Sequence, residues 1–249
     1  MLLRFLPLKV GALLVALLFG FATSSAALSL YSDFVSTDPP APDQIDGTGW
    51  WDGGDPGPPP VYEASVLSWD ITIFETYAHY EYTWTHPEHD ASYFILEVSE
   101  NFELDDIVQV YGNLTFPDVE VGTYFDDDDN YQGMPGTVYG VKFDGFSSYT
   151  DNLDGTVTET IIFDSTRLPT WGDFYVRCGI HPDSEGGHGV WDAAWNTGFL
   201  NGETTRVNDL NDDFHVAVPD TVIPEPNSML LLGFGLAGLA AARRRSSLH

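Results

Sequence analysis

Between Ala64 and Val218 the chain is written in short runs of β-branched and aromatic residues, each closed off by Gly, Pro, Asn or Asp. That punctuation constrains the fold more than any other feature, because such runs suit a pleated, half-buried surface and are too short for helices. The runs at 66–74, 77–85, 92–98, 119–125, 137–143, 156–163, 172–180, 189–195 and 214–218 read as strands. Only 100–110 hints at a helical turn, with Phe102, Ile107 and Val110 apolar and Ser99 in reach as an N-cap. Strands without intervening helices predict an all-β domain over 64–220. An antiparallel β-sandwich of jelly-roll type fits best, since nothing repeats at a propeller-like period.

The segments on either side have different chemistry. Arg4 and Lys9 precede an apolar stretch at 10–21 and a cluster of small residues at 22–27. This is the layout of a secretory signal peptide, so residues 1–27 are set aside from the fold. Residues 28–63 are dense in proline and glycine and read as a linker or long loop. Trp50 and Trp51 stand out within it, either as a cap on the core or as an exposed aromatic platform for sugar rings. Trp171 and Trp191 are further candidates for such a platform.

Charge narrows the partners. Between Leu28 and Pro224 there are 37 acidic residues against 4 basic ones, a net charge of −33. A surface of that sign repels nucleic acid and anionic lipid. It suits a soluble extracellular protein or one that binds divalent cations. The single cysteine, Cys178, has no partner for an intramolecular disulfide and lies in an alternating apolar stretch, which predicts a buried, inert thiol. A body of this size can bury a core without disulfides.

Two groups of residues invite a chemical reading. Asp126-Asp127-Asp128-Asp129-Asn130 gathers carboxylates on one loop, and Asp126, Asp128 and Asn130 are candidate calcium ligands. The match to a helix-loop-helix calcium site is incomplete, because Tyr131 stands where glycine is needed and Thr137 where glutamate closes the loop. His86-Pro87-Glu88-His89-Asp90 holds two imidazoles, but Pro87 breaks the helix that would bring them to one face, so a polar loop is the simpler reading. No Gly-x-Ser-x-Gly elbow or Gly-rich phosphate loop occurs. With so many acids, a carboxylate pair for glycoside hydrolysis cannot be picked out by spacing.

The C-terminal segment carries the most specific signal. Pro224-Glu225-Pro226 is followed by an apolar run at 229–242 and by Arg243-Arg244-Arg245. In that order and place, these residues closely resemble the PEP-CTERM sorting domain, here spanning 223–248. The resemblance implies a Gram-negative bacterial protein, often from a maker of exopolysaccharide, processed by the membrane enzyme exosortase. By that resemblance Pro224, Glu225 and Pro226 are recognition residues. The physics agrees: fourteen residues make a helix of roughly 21 Å, short of the ~30 Å hydrocarbon core, which suits a temporary anchor. Arg243, Arg244 and Arg245 act as a cytoplasmic stop, leaving the Pro-Glu-Pro motif on the outer face. The segments Arg167 to Tyr175 and Ala193 to Phe199 also look like parts of one recurring group of PEP-CTERM protein bodies, which adds no mechanism.

The expectation is therefore an exported, non-enzymatic surface or matrix protein, transiently held at the inner membrane, with exosortase as partner and a link to exopolysaccharide. The alternatives are a carbohydrate-binding β-sandwich and a secreted glycan hydrolase. Calcium is the one candidate cofactor.

Overall fold

The computed structural model describes residues 29–37, 44–48, 51, 65–87, 90–178, 181–182, 189–190, 192–199 and 215–222. The signal peptide, Trp50, Trp191, Pro224, Glu225, Pro226, the span at 229–242 and Arg243, Arg244 and Arg245 lie outside them. Among the described residues no helix is long and apolar enough to cross a membrane.

In chain order the strands are β1 (Ser29–Ser36), β2 (Ile45–Thr48), β3 (Val66–Ile73), β4 (Ala78–Pro87), β5 (Ala91–Glu97) and β6 (Ile107–Val110). They continue with β7 (Val119–Tyr124), β8 (Val138–Phe143), β9 (Ser148–Asp151), β10 (Thr156–Ser165) and β11 (Arg167–Gly172). The last are β12 (Phe174–Cys178), β13 (His181–Pro182), β14 (Gly189–Val190), β15 (Ala193–Asn196) and β16 (Val216–Val222). One sheet runs β1-β3-β4-β10-β6, with β9 also pairing with β10. The other runs β2-β15-β12-β5-β8-β7, and β11 pairs with β16 in a separate ribbon. Every pairing in the two large sheets is antiparallel.

Strict alternation makes β4 the spine of the first sheet. Ala78, Tyr80, Tyr82, Trp84 and His86 point inward, and the residues between them are half-buried. Opposite residues of an antiparallel pair share a face, so β10 contributes Ile161 and Phe163 to the same interior. The second sheet answers with Phe94, Phe143 and Phe174. Phe143 meets Phe163 at 5.1 Å between ring centroids, and Trp84 meets Phe174 at 6.0 Å. The two sheets thus share one aromatic core, as in a sandwich. Its tyrosine hydroxyls reach backbone acceptors: Tyr80 donates to the carbonyl of Arg167 at 2.8 Å and Tyr82 to that of Ala217 at 2.5 Å. These bonds dock the β11–β16 ribbon onto β4 without leaving a buried hydroxyl unpaired.

The all-β class expected from the sequence is what the described residues form, with three local differences. Residues 28–63, read as linker or long loop, contain β1 and β2, which pair with β3 and β15. Residues 100–110, read as a helical turn, hold a 3-10 turn at Leu104–Asp106 that runs directly into β6. Asp106 accepts from the backbone of Glu103 and so closes the turn after a single cycle. The His86–Pro87 pair, read as loop, ends β4, because the inward alternation continues one step past Trp84.

Register also places the start of the first described strand and the end of the last. Ser29 lies opposite Ile73, Ala78 opposite both Ile73 and Ser165, and Arg167 opposite Val222. The start of β1 and the end of β16 therefore share one pole of the sandwich.

Candidate functional site

The strands of that pole leave an open cleft of about 670 Å³ between β1–β3 on one side and the β11–β16 ribbon on the other. Its lining includes Tyr31, Asp33, Trp69, Thr170, Trp171 and Ala217. Asp33 lies opposite Trp69 and Tyr31 opposite Ile71, so both side chains sit on the face of β1 that Trp69 occupies in β3. Trp69 is almost fully buried and forms the floor. Trp171 is half-buried and meets it edge to face, with ring centroids 6.4 Å apart. Tyr31 is 48% exposed at the rim. The backbone amide of Phe34 donates to Asp33 at 2.9 Å, fixing one carboxylate oxygen. A long aromatic wall with a few hydroxyls and one carboxylate can stack a flat ligand and orient it through polar contacts.

Beside the ribbon, a buried polar cluster joins β5, β12, β15 and the entry to β16. His215 Nδ1 lies 2.8 Å from Asp173 Oδ1, and Asn196 donates to the same oxygen at 2.6 Å. Asn196 in turn accepts from the amide of Phe174. Glu97 accepts from the amide of Asp173 at 3.2 Å. Burial pushes the Glu97 carboxyl up to about 7, helped by the negative charge of Asp173. Asp220 of β16 accepts from the amide and hydroxyl of Ser99. Glu97 and Asp173 are neighbouring acids, but Asp173 is turned into hydrogen bonds with His215 and Asn196 and neither is among the described residues of the cleft lining. The cluster latches the ribbon to the second sheet.

A second histidine–carboxylate pair lies deeper. His86 Nε2 is 3.1 Å from Glu159 Oε2, and both residues are almost wholly inaccessible. The same oxygen accepts from the amide of Ala91. Burial raises the Glu159 carboxyl above its ordinary range, while its bond to His86 acts in the opposite direction. Sequence reading passed over this pair because Glu159 is 73 residues away; the inward positions of β4 and β10 bring the two together.

The candidate residues fall into different settings. Trp51 is fully buried: it packs edge to face on Trp84 at 5.7 Å and on His86 at 4.7 Å, and its Nε1 donates to the carbonyl of Pro87. It therefore caps the core, and the alternative of an exposed sugar platform at Trp51 is corrected. Trp171 opens on the cleft. Asp126 accepts from Thr137 Oγ at 2.6 Å, and Asp128 accepts from the backbone and side-chain amides of Asn130 at 2.8 and 2.9 Å. Those carboxylates shape the turn, and the Asn130 carbonyl receives Tyr93 and Arg177. Among the described residues no three His, Cys, Asp or Glu side chains are grouped to hold a metal ion. Cys178 is buried, with its thiol pushed up to about 12 by burial, which matches an inert thiol.

Residues 222–245 match the family model described as the PEP-CTERM protein-sorting motif. The chain thus carries that sorting signal, as its Pro-Glu-Pro, apolar and arginine segments led one to expect. No curated protein and no solved structure matches the chain.

Proposed function

We propose that this is an exported, non-enzymatic protein of the cell surface or extracellular matrix, delivered through its C-terminal signal and associated with exopolysaccharide. The observation that carries the reading is one of continuity: the sorting motif begins at Val222, the last residue of β16. An acidic β domain therefore runs straight into its delivery signal. In this reading the chain rests briefly in the inner membrane through 229–242. Exosortase recognises Pro224, Glu225 and Pro226, and Arg243, Arg244 and Arg245 hold the cytoplasmic side. The jelly-roll winding belongs to the same reading, supported by the way the chain crosses between sheets from β4 to β5, β5 to β6 and β6 to β7.

Mass spectrometry of the protein recovered from its host tests this. A C-terminus near Pro226 that depends on exosortase is the expected result, and extracellular material retaining Arg243, Arg244 and Arg245 would overturn it.

A second reading, compatible with the first, is favoured by the cleft: a saccharide-binding module using Trp171, Tyr31 and the floor at Trp69. A described lining with one carboxylate, Asp33, supports binding over glycoside hydrolysis, which needs two facing acids. Retention of the processed protein on a glycan array, lost in Trp171→Ala, is the expected outcome.

A further inference from the structure

We propose that the cleft selects amino-sugar polymers with free, protonated amines over polymers carrying uronate, sulfate or phosphate groups. The inference rests on the cleft being a saccharide site and adds the charge class of its ligand.

The cleft itself supplies two features that favour an ammonium group. Asp33 offers a carboxylate on the same face as Trp69, held in place through its bond from Phe34. The faces of Trp171 and Tyr31 carry negative quadrupoles that attract a cation set above them. Among the described residues that line it there is no Lys, Arg or His.

Elsewhere on the domain, the described cations are already committed. Lys142 bonds Asp144 at 2.9 Å and lies 3.5 Å from Glu120. Arg167 pairs with Asp106 at 2.7 Å and lies over Phe102. Arg177 donates to the backbone carbonyls of Asp129 and Asn130. An anionic sugar approaching the cleft finds no bidentate partner among the described lining residues and meets a body whose net charge is −33. A cationic polymer is drawn by the same field and desolvates onto aromatic rings beside a carboxylate.

Calorimetric titration of the processed protein with three oligosaccharides of equal length tests the idea: de-N-acetylated glucosamine, N-acetylglucosamine and galacturonate, in mildly acidic buffer. At low salt the amine form should bind about tenfold more tightly than the acetylated form, and galacturonate should not bind. At about 0.5 M salt the gap should close towards equality, because the charge contribution is screened. Asp33→Asn should abolish the preference and leave the acetylated oligomer bound. Trp171→Ala should lose both, and Tyr31→Ala, at an exposed position, gives the same readout if the tryptophan variant does not fold.

The result that overturns charge selection is equal binding of the amine and acetylated forms at low salt, or binding of galacturonate, with Trp171 still required. If no oligomer binds, or binding ignores both aromatic substitutions, the saccharide reading of the cleft falls and this inference falls with it.

Discussion

Two tryptophan pairs have nearly the same geometry and opposite surroundings. Trp51 and Trp84 meet edge to face at 5.7 Å and 77°, and Trp69 and Trp171 at 6.4 Å and 78°. The first pair is sealed in the core over His86 and Glu159. The second has one ring in the floor and the other on the wall of an open cleft. Edge-to-face contact is therefore no guide to role here. What separates the pairs is burial: Trp51 is wholly enclosed against Trp84 and His86, with its backbone beside Gly47 of β2, whereas Trp171 stands on the cleft wall and the start of β1 stays exposed.

The largest expected effect comes from breaking the closed pair. Trp51→Ala removes a fully buried side chain and its bond to Pro87, so it should cost about 3–5 kcal/mol, read as a lower urea midpoint of the processed protein. A cost under about 1 kcal/mol would show that Trp51 is peripheral to the core. The open pair should behave differently. Trp171→Ala should cost about 1–2 kcal/mol at most while removing saccharide retention. If it instead unfolds the domain, the contrast between the pairs disappears.

The latch beside the cleft sharpens the comparison through pH. Glu97 titrates at about 7 in the fold against an ordinary 4.5, so the folded state holds its proton more tightly than the unfolded state. Its contribution is fully present below about pH 4.5 and is lost as pH rises through about 7. Melting temperature should therefore fall across that window by more in the native protein than in Glu97→Gln, which has nothing to titrate there. Equal slopes would mean that Glu97 is more hydrated than its position implies.

The smallest effect belongs to the acidic loop. Asp128→Ala removes the cap on the short turn at Asp129–Tyr131 and should lower stability by about 1 kcal/mol. Melting curves in calcium and in chelator complete that test, and superimposable curves would remove the calcium reading of Asp126, Asp128 and Asn130.

Much of the fold was legible because its strands obey a local rule. The alternation of Tyr80, Tyr82 and Trp84 marks β4 within one window, and β5, β7, β8 and β10 are marked in the same way by their own apolar runs. β1 was hidden because it follows a signal-like stretch and leaves Leu30, Tyr31 and Phe34 exposed, so no buried face repeats along it. β2 was hidden because Gly47 and its proline-rich surroundings resemble a linker, although an added Cβ at Gly47 would stand 2.6 Å from the carbonyl of Ala193. The turn before β6 misled because the spacing of Phe102, Ile107 and Val110 suits a helical face, while the hydrogen bond from Glu103 to Asp106 ends the turn early.

The candidate site was less legible for a different reason. Trp171 could be singled out by residue type, but its companions come from positions 31, 33, 69 and 217, which only sheet register brings together. The polar pairs His86–Glu159 and His215–Asp173 span 73 and 42 residues. No short-range pattern encodes such partnerships, and their assignment needs the order of strands.

The shared pole of β1 and β16 has a mechanical consequence. Leu30 and Thr221 both border the cleft, and β16 is seven residues long, about 23 Å from end to end. A polymer seated there is gripped within one strand's length of Val222, where β16 ends and the sorting motif begins. Tension on the polymer would then have a short path to the sorting junction, through the β11–β16 ribbon that walls the cleft. The opposite pole, with Pro87 and Thr156 at its rim, stays out of that line of force.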